Sequence, residues 1–241
     1  MKTLDFIRDI RFYQYKDGYR VSVDAVLLYD FVNLPRLQTI IDLGAGSGII
    51  GLLLAKRYPN SSVTLVEIQS RLAALANENI ALNNLDSRVS VINTDIKDLS
   101  TQYSIAGKID VVVSNPPFRR AKTGLISPND EKALARHEVN LSLSQLLKAS
   151  SDILRHHGHL YLIYLPERLS EVILKMRENA LEVKRLRFVH SFSNTPAKMV
   201  LIEGVKGAKP GLKVMQPLII YKDKFSYSDE VMDIYKSGLE N

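Results

Sequence analysis

The sequence predicts an α/β fold: a doubly wound, seven-stranded, mostly parallel sheet whose last strand runs antiparallel. Strands and helices alternate from residue 39 onward, which is typical of parallel βαβ units. The run Ile109–Ser114 is rich in β-branched residues, as expected for a strand that is buried on both faces. The last two predicted strands are joined by a segment too short for a crossover helix, so we expect them to be antiparallel neighbours.

The apolar pattern predicts each element in turn, and turn residues predict where the elements end. Tyr58-Pro59-Asn60 is a stop signal after the first helix, and Pro166 suits the first turn of the last one. The predicted strands are Thr39–Leu43, Ser62–Ile68, a strand from Val89 that ends at Asp95, Ile109–Ser114, His159–Leu165, Val183–Val189 and Met199–Val205. The predicted helices are Ile49–Arg57, Arg71–Leu82, Leu141–Leu154 and Pro166–Ala180.

Length and composition indicate one folded domain. The chain has 241 residues, of which 46% are hydrophobic and 24% charged, the balance of a folded protein rather than a disordered one. We expect a single domain over residues 1–241. We expect residues 1–37, which precede the sheet, to form an extension that covers cofactor or substrate. Residues 119–140 form a long loop on the substrate side, directly after a strand, where such loops are more often functional than idle.

Composition also excludes several function classes. The chain has no cysteine, which removes disulfides, thiolate zinc sites, iron–sulfur clusters and a cysteine nucleophile. No apolar stretch is long enough for a bilayer span or a signal peptide, so we expect a cytoplasmic protein that contacts no membrane. The net charge of +6 permits a polyanionic partner such as nucleic acid without requiring one. We expect no metal site and no obligate protein partner.

A glycine-rich turn follows the first predicted strand. It contains Gly44, Ala45, Gly46 and Gly48, and Asp42 precedes it. Glycine permits positive φ and the close approach of a ligand. The dinucleotide fingerprint fails because Ile49 occupies the position of its third glycine, and no Walker lysine follows. A cationic ligand without phosphate, such as S-adenosylmethionine, suits the acidic residue better than pyrophosphate does.

Two further acidic residues end the next two predicted strands. Glu67 lies 25 positions after Asp42, and Asp95 follows the third strand; Ile68 and Ile96 come directly after them. Ligands of open α/β sheets collect at the carboxyl ends of the strands. An acid at the second strand typically accepts hydrogen bonds from ribose hydroxyls, and one at the third can accept from an adenine amine. We predict that all of these residues bind S-adenosylmethionine.

The tetrapeptide Asn115-Pro116-Pro117-Phe118 follows the fourth predicted strand. Its two prolines fix φ and remove two backbone donors, which leaves a stiff turn with free carbonyls. The Asn115 side-chain oxygen and the Pro116 carbonyl can accept hydrogens from a planar amine and stabilise the charge that grows on its nitrogen. Phe118 offers a stacking face for a flipped base. We predict that these four residues are catalytic, and that Asn115 also borders the cofactor.

Basic residues follow this turn immediately. Arg119, Arg120 and Lys122 can hold the phosphates that flank a flipped nucleotide, which positions the RNA without reading its sequence. Arg136 lies further along the same predicted loop and is an RNA-facing candidate. We therefore predict an RNA-binding site on the loop.

The glycine turn and the Asn-Pro-Pro-Phe turn together resemble the motifs of class I methyltransferases that act on amino nitrogens, whose fold is Rossmann-like. Further segments resemble the bacterial valine-tRNA adenine-N6 methyltransferase family, so that the resemblance covers nearly the whole chain. These segments are Tyr19–Leu28, Ala135–Glu138, Lys206–Pro210 and Pro217–Tyr221.

The resemblance implies a substrate and further cofactor residues. It implies methylation of the adenine beside the anticodon, position 37, of a valine tRNA. The first of its segments implies that Arg20, Ser22 and Asp24 help to cover the cofactor. Phe118 stands where that family often has tyrosine, and guanine-N2 enzymes of rRNA also carry phenylalanine there.

Two alternatives remain open at this point. One is a methyltransferase on another planar amino group, either guanine N2 in rRNA or a release-factor glutamine. Glutamine enzymes usually carry an extra N-terminal helical domain, and only about forty residues precede the sheet here. The other is a non-catalytic RNA-binding module on a methyltransferase scaffold, against which the intact Asp42, Glu67 and Asn115 argue.

Overall fold

A large central sheet with helices on both faces organises the chain in the computed structural model, which describes residues 1–16, 20–34, 38–116 and 142–236. The strands of the described chain are β1 (Lys2–Ile7), β2 (Ile10–Tyr15), β3 (Thr39–Leu43), β4 (Ser62–Val66), β5 (Val89–Ile92), β6 (Ile109–Ser114), β7 (Leu154–Tyr164), β8 (Leu181–His190), β9 (Ala197–Lys206), β10 (Lys213–Val214) and β11 (Leu218–Ile219), of which β3 to β11 form the central sheet. Its helices are α1 (Val23–Phe31), α2 (Ile49–Arg57), α3 (Ser70–Leu82), α4 (Leu99–Gln102), α5 (Leu143–Ile153), α6 (Leu169–Glu178) and α7 (Asp229–Tyr235).

The seven predicted strands form the body of the sheet in the order β8-β9-β7-β6-β3-β4-β5. β9 is antiparallel to both of its neighbours, β7 and β8, and the other neighbouring pairs are parallel. The prediction of a mostly parallel sheet with an antiparallel last strand is therefore confirmed. The short strands β10 and β11 both pair with β8 and extend the sheet to nine strands.

Helices and apolar side chains cover both faces of this sheet. One buried cluster packs β2, α1, α2, α3 and α7 against one face, and the other packs α4, α5 and α6 against the opposite face. Burial on both faces explains why the central strands are so rich in valine, isoleucine and leucine. In the described part of the chain, no helix has the length and apolar character to span a bilayer.

Several predicted boundaries differ from those observed. β4 and β5 end at Val66 and Ile92, short of Ile68 and Asp95, because the side chains of Glu67 and Asp95 bond to the backbone of the turns that follow. β7 begins at Leu154 instead of His159, because a register shift in its pairing with β6 accommodates the additional residues. The helix predicted from Pro166 starts as a 3-10 turn and becomes α-helical only at Leu169.

The N-terminal extension contains structure that the apolar pattern does not predict. β1 and β2 form an antiparallel hairpin apart from the main sheet, and α1 follows. The hairpin packs on α3, and α1 packs beside α2. The extension therefore lies against the two helices that follow β3 and β4, the strands whose ends carry the glycine turn and Glu67.

Candidate active site

The glycine turn connects the end of β3 to the start of α2. Gly44, Gly46 and Gly48 have φ values of +74°, +57° and +87°, a region that residues with a Cβ rarely adopt. A Cβ on Gly44 or Gly46 would meet no atom within 4 Å, whereas one on Gly48 would lie 2.7 Å from Leu65 Cδ1. The first two glycines therefore border open space, and the third allows α2 to pack closely against β4.

Glu67 holds this turn in place. Its Oε2 accepts a hydrogen bond from the Gly46 N–H at 2.9 Å, and its Oε1 accepts one from the Gln69 N–H at 2.8 Å. The carbonyl of Val66 accepts from the N–H groups of Gly44 and Ala45. A carboxylate offers about four lone-pair positions, so Glu67 keeps acceptor capacity for ligand hydroxyls.

Asp42 lies buried between the turn and α2, with 1% of its surface exposed. Its Oδ2 accepts a hydrogen bond from the Gly51 N–H at 3.1 Å, and among the described residues its Oδ1 has no partner. Burial raises the pKa of Asp42 to about 7, and the nearby charge of Glu67 adds to the rise. A buried acceptor without a partner is costly, so a cationic or hydrogen-bond-donating ligand nearby would lower the free energy of the site.

Asp95 lies at the same edge of the sheet, after β5. Its Oδ1 caps a 3-10 turn by accepting from the Lys97 N–H at 3.0 Å, and its Oδ2 lies 2.9 Å from Lys97 Nζ. Ile96 is buried, while Ile68 is exposed at the end of β4. The structure thus brings Asp95 and Ile68 to the edge where a nucleoside would lie, and Lys97 already engages part of the Asp95 acceptor capacity.

Asn115 and Pro116 follow β6, the neighbour of β3. The Ser114 hydroxyl donates to the Leu43 carbonyl at 2.8 Å, which ties the end of β6 to the residue before the glycine turn. Asn115 is half-buried and Pro116 is buried. The predicted catalytic and cofactor motifs therefore lie side by side. The predicted residues Pro117, Phe118, Arg119, Arg120, Lys122 and Arg136 lie outside the described residues.

Comparison with known proteins identifies the family. The model of the methyltransferase small domain matches residues 21–186. A tRNA1(Val) (adenine(37)-N6)-methyltransferase of Parabacteroides distasonis is 32% identical over 222 residues, which cover 92% of this chain and 91% of the relative. The chain belongs to this methyltransferase family. A relative with the same name from Porphyromonas gingivalis is 34% identical over 76% of this chain and 73% of its own.

A solved structure agrees with the fold. A predicted O-methyltransferase from Agrobacterium tumefaciens has a TM-score of 0.70 and 23% identity, over 88% of this chain and 95% of its own. That likeness supports the Rossmann-like class I fold. The resemblance drawn from the motifs is confirmed, and the chain is an S-adenosylmethionine-dependent methyltransferase.

The described residues of the methyltransferase fit S-adenosylmethionine. The open space beside Gly44 and Gly46 is where a ligand can approach the backbone. The unpartnered Asp42 Oδ1 suits a cofactor whose ammonium and sulfonium groups are positive. Glu67 retains acceptor positions for hydroxyls. It follows β4, the parallel neighbour of β3, and such neighbours lie about 4.8 Å apart. The assignment of individual residues to the cofactor stays a prediction.

The predicted covering residues Arg20, Ser22 and Asp24 lie at the start of α1. Arg20 is exposed and lies 3.7 Å from Asp5. Ser22 hydrogen-bonds to the carboxylate of Asp24, whose pKa is raised by burial and partly lowered again by that bond. The Arg20–Asp5 contact thus joins the start of α1 to β1, and the role of the three residues toward the cofactor stays a prediction.

Two buried asparagines that the sequence analysis missed connect the extension to the site. The Asn79 side chain accepts from the Tyr13 N–H at 2.6 Å and donates to the carbonyls of Tyr13 and Ser47 at 3.1 and 2.9 Å. One turn later, the Asn83 side chain bonds in the same way to both backbone groups of Arg11. The sequence pattern that could have indicated these contacts is a pair of asparagines four residues apart, beside the apolar face of α3.

Proposed function

We propose that this methyltransferase transfers a methyl group to the exocyclic N6 of adenine 37 in a valine tRNA. The geometry that supports the proposal is the juxtaposition of Asn115 with the glycine turn, fixed by the Ser114–Leu43 hydrogen bond. The relatives named as tRNA1(Val) (adenine(37)-N6)-methyltransferases support the choice of substrate. They favour adenine over the alternatives of guanine N2 and a release-factor glutamine.

The chain contributes acceptors to the reaction rather than a strong base. S-adenosylmethionine, when bound, supplies the electrophilic methyl group. The Asn115 side-chain oxygen and the Pro116 carbonyl accept hydrogen bonds from the two N–H groups of the amine and draw its hydrogens out of the plane of the ring. The nitrogen lone pair would then be free to take up the methyl group, and the electrons of the C–S bond would remain on the sulfur of the cofactor. Asn115 and Pro116 stabilise the positive charge on nitrogen, and its proton leaves to water.

The RNA side of the site rests on residues that follow Pro116. Phe118 would stack on the flipped adenine, which is worth about 1–3 kcal/mol for each stacked base. Arg119, Arg120, Lys122 and Arg136 would hold the neighbouring phosphates. Since tRNA processing takes place where tRNA is made and charged, we place the enzyme in the cytoplasm.

The substrate assignment is tested by incubating the purified protein with labelled S-adenosylmethionine and unmodified bulk tRNA, followed by nucleoside digestion and mass spectrometry. We expect labelled N6-methyladenosine. Label on guanosine, or transfer only to rRNA or a release factor, would contradict the assignment. Strong RNA binding without any methyl transfer would instead indicate a non-catalytic binding module.

The role of Asn115 is tested by Asn115→Ala. Removing one preorganised acceptor should lower kcat by about 10²–10³-fold, while the Kd for S-adenosylmethionine, measured by calorimetry, stays within a few-fold of wild type. Asn60→Ala, which removes an exposed asparagine from the turn after α2, is the matched control and should leave both quantities unchanged. Turnover within a few-fold of wild type in Asn115→Ala would refute the catalytic role.

A further inference from the structure

The loop between β11 and α7 presents an aromatic side chain to solvent. Phe225 is 97% exposed, the highest exposure of any large hydrophobic side chain among the described residues. An isolated apolar side chain on a surface needs no explanation by itself. Phe225 differs because the loop that carries it is held in one conformation by contacts on both sides.

Asp223 fixes the tip of this loop. Its Oδ1 accepts hydrogen bonds from the N–H groups of Phe225 and Ser226, at 2.8 and 2.9 Å, and from the Ser226 hydroxyl. These bonds lower the pKa of Asp223, so its carboxylate stays ionised and keeps accepting at neutral pH. The Lys222 N–H donates to the Ser226 carbonyl at 3.1 Å and closes the loop.

An aromatic stack supports the base of the loop. Tyr221 and Tyr227 pair across it with ring centroids 5.2 Å apart, and the stack continues to Tyr235 of α7 at 5.7 Å and to Phe192 at 5.6 Å. A loop whose backbone is held in this way loses little conformational entropy when its tip binds a partner. The backbone that carries Phe225 is therefore preorganised, and the ring projects from it into solvent.

The loop lies at the same edge of the sheet as the candidate active site. β11 runs parallel to β8 at its carboxyl end, and β8 has the same direction as β6, which Asn115 follows. Since β8 is three strands from β6 and β11 is one further, the lateral distance is about 19 Å at about 4.8 Å per strand. An RNA strand stacked at about 3.4 Å per nucleotide covers that distance in about six nucleotides.

Lys224, the sequence neighbour of Phe225, is the charge on this loop that suits an anionic partner. It is exposed and forms no ion pair within the described ranges. The acidic groups nearby are engaged: Asp223 accepts from the N–H groups of the loop, Asp229 lies 3.5 Å from Lys222, and Glu230 lies 2.6 Å from Arg187. A lysine beside an exposed ring is the combination that binds single-stranded nucleic acid.

We propose that Phe225 stacks on an unpaired base of the substrate RNA while Lys224 contacts a phosphate, so that the loop 222–226 is a second RNA contact remote from the reacting adenine. The proposal rests on the proposed RNA substrate. It adds a contact that acts on binding and not on the transfer step, which separates it from the role of Asn115.

The first test compares four substitutions of Phe225 on an unmodified valine tRNA transcript. Phe225→Ala and Phe225→Leu should raise the RNA Kd and KM by about 5- to 150-fold, the value of one stacked base, with kcat nearly unchanged. Phe225→Tyr and Phe225→Trp should retain affinity, because they keep an aromatic face. If Phe225→Leu binds the RNA as tightly as wild type, an aromatic face is not required for binding, and the proposal is wrong.

The second test uses the absence of tryptophan from the chain. Phe225→Trp creates a unique fluorophore, whose emission should be quenched when the transcript is added. Leu174→Trp, at a 60% exposed position on α6, is the matched control and should respond little. An equal response of the two probes would overturn the proposal. If wild-type protein neither binds nor methylates the transcript, the proposed function itself fails; if it methylates RNA and Phe225→Ala matches its KM, only the loop contact fails.

Discussion

The glycines of the glycine turn have two different structural roles. Gly44 and Gly46 border open space, while Gly48 is enclosed by Leu65 and Ala76. The sequence predicted the turn and its ligand, because glycines between a strand and a helix have a strong local signature. The assignment of Gly48 to the cofactor stays a prediction, and its packing against β4 could not be derived from local sequence.

This difference predicts different outcomes for two alanine substitutions. Gly46→Ala places a residue with a Cβ at positive φ, which costs about 1–2 kcal/mol. The new methyl group meets no neighbour, but it obstructs the approach of the cofactor to the backbone. We expect a modest loss of stability and a large loss of S-adenosylmethionine affinity. Gly48→Ala adds overlap with Leu65 to the same strain, so we expect it to be clearly less stable. Denaturant unfolding and calorimetry measure the two effects, and equal unfolding midpoints would contradict the assignment.

At the scale of elements, the predicted sheet was correct because apolar runs and strand–helix alternation are local patterns. β3, α2 and β6 have the predicted bounds. The β1–β2 hairpin was not predicted, because its position depends on Asn79 and Asn83, which are more than sixty residues away in sequence. β10 and β11 have two residues each, too few for any periodicity to be visible.

The connection between the hairpin and the glycine turn is testable with these two asparagines. Asn79→Ala and Asn83→Ala each remove two hydrogen bonds to backbone groups of β2, and each bond contributes about 0.5–1.5 kcal/mol to stability. Only Asn79 also binds the Ser47 carbonyl in the turn. We expect both variants to lose stability, and only Asn79→Ala to lose cofactor affinity well beyond that loss. Equal cofactor Kd values in the two variants would show that the hairpin does not support the turn.

At the scale of the whole molecule, Asp42 makes folding depend on pH. Its pKa is about 7 in the folded protein and 3.8 ordinarily, so between those values the folded state retains a proton that the unfolded state loses. Stability from this group is therefore greatest below about pH 4 and declines as pH rises toward 7, by up to about 1.4 kcal/mol per pH unit. Asp42→Asn removes the titration, so its stability relative to wild type should rise from pH 5 to pH 7 and then level off. The measurement is the free energy of unfolding between pH 5 and pH 8. Asp86→Asn, which removes an exposed carboxylate, is the control here and for the cofactor-induced change in Tm, and it should behave like the wild type.

The same proton connects folding to cofactor binding. A positively charged ligand near Asp42 favours its ionised form and lowers its pKa, so binding should release a proton near neutral pH. The rise in Tm caused by S-adenosylmethionine should therefore be larger at pH 8 than at pH 6 in the wild type. In Asp42→Asn this dependence should vanish, because no proton remains to be displaced. An unchanged pH dependence in Asp42→Asn would mean that another group carries the linkage and that the Asp42 carboxylate does not sense the cofactor charge.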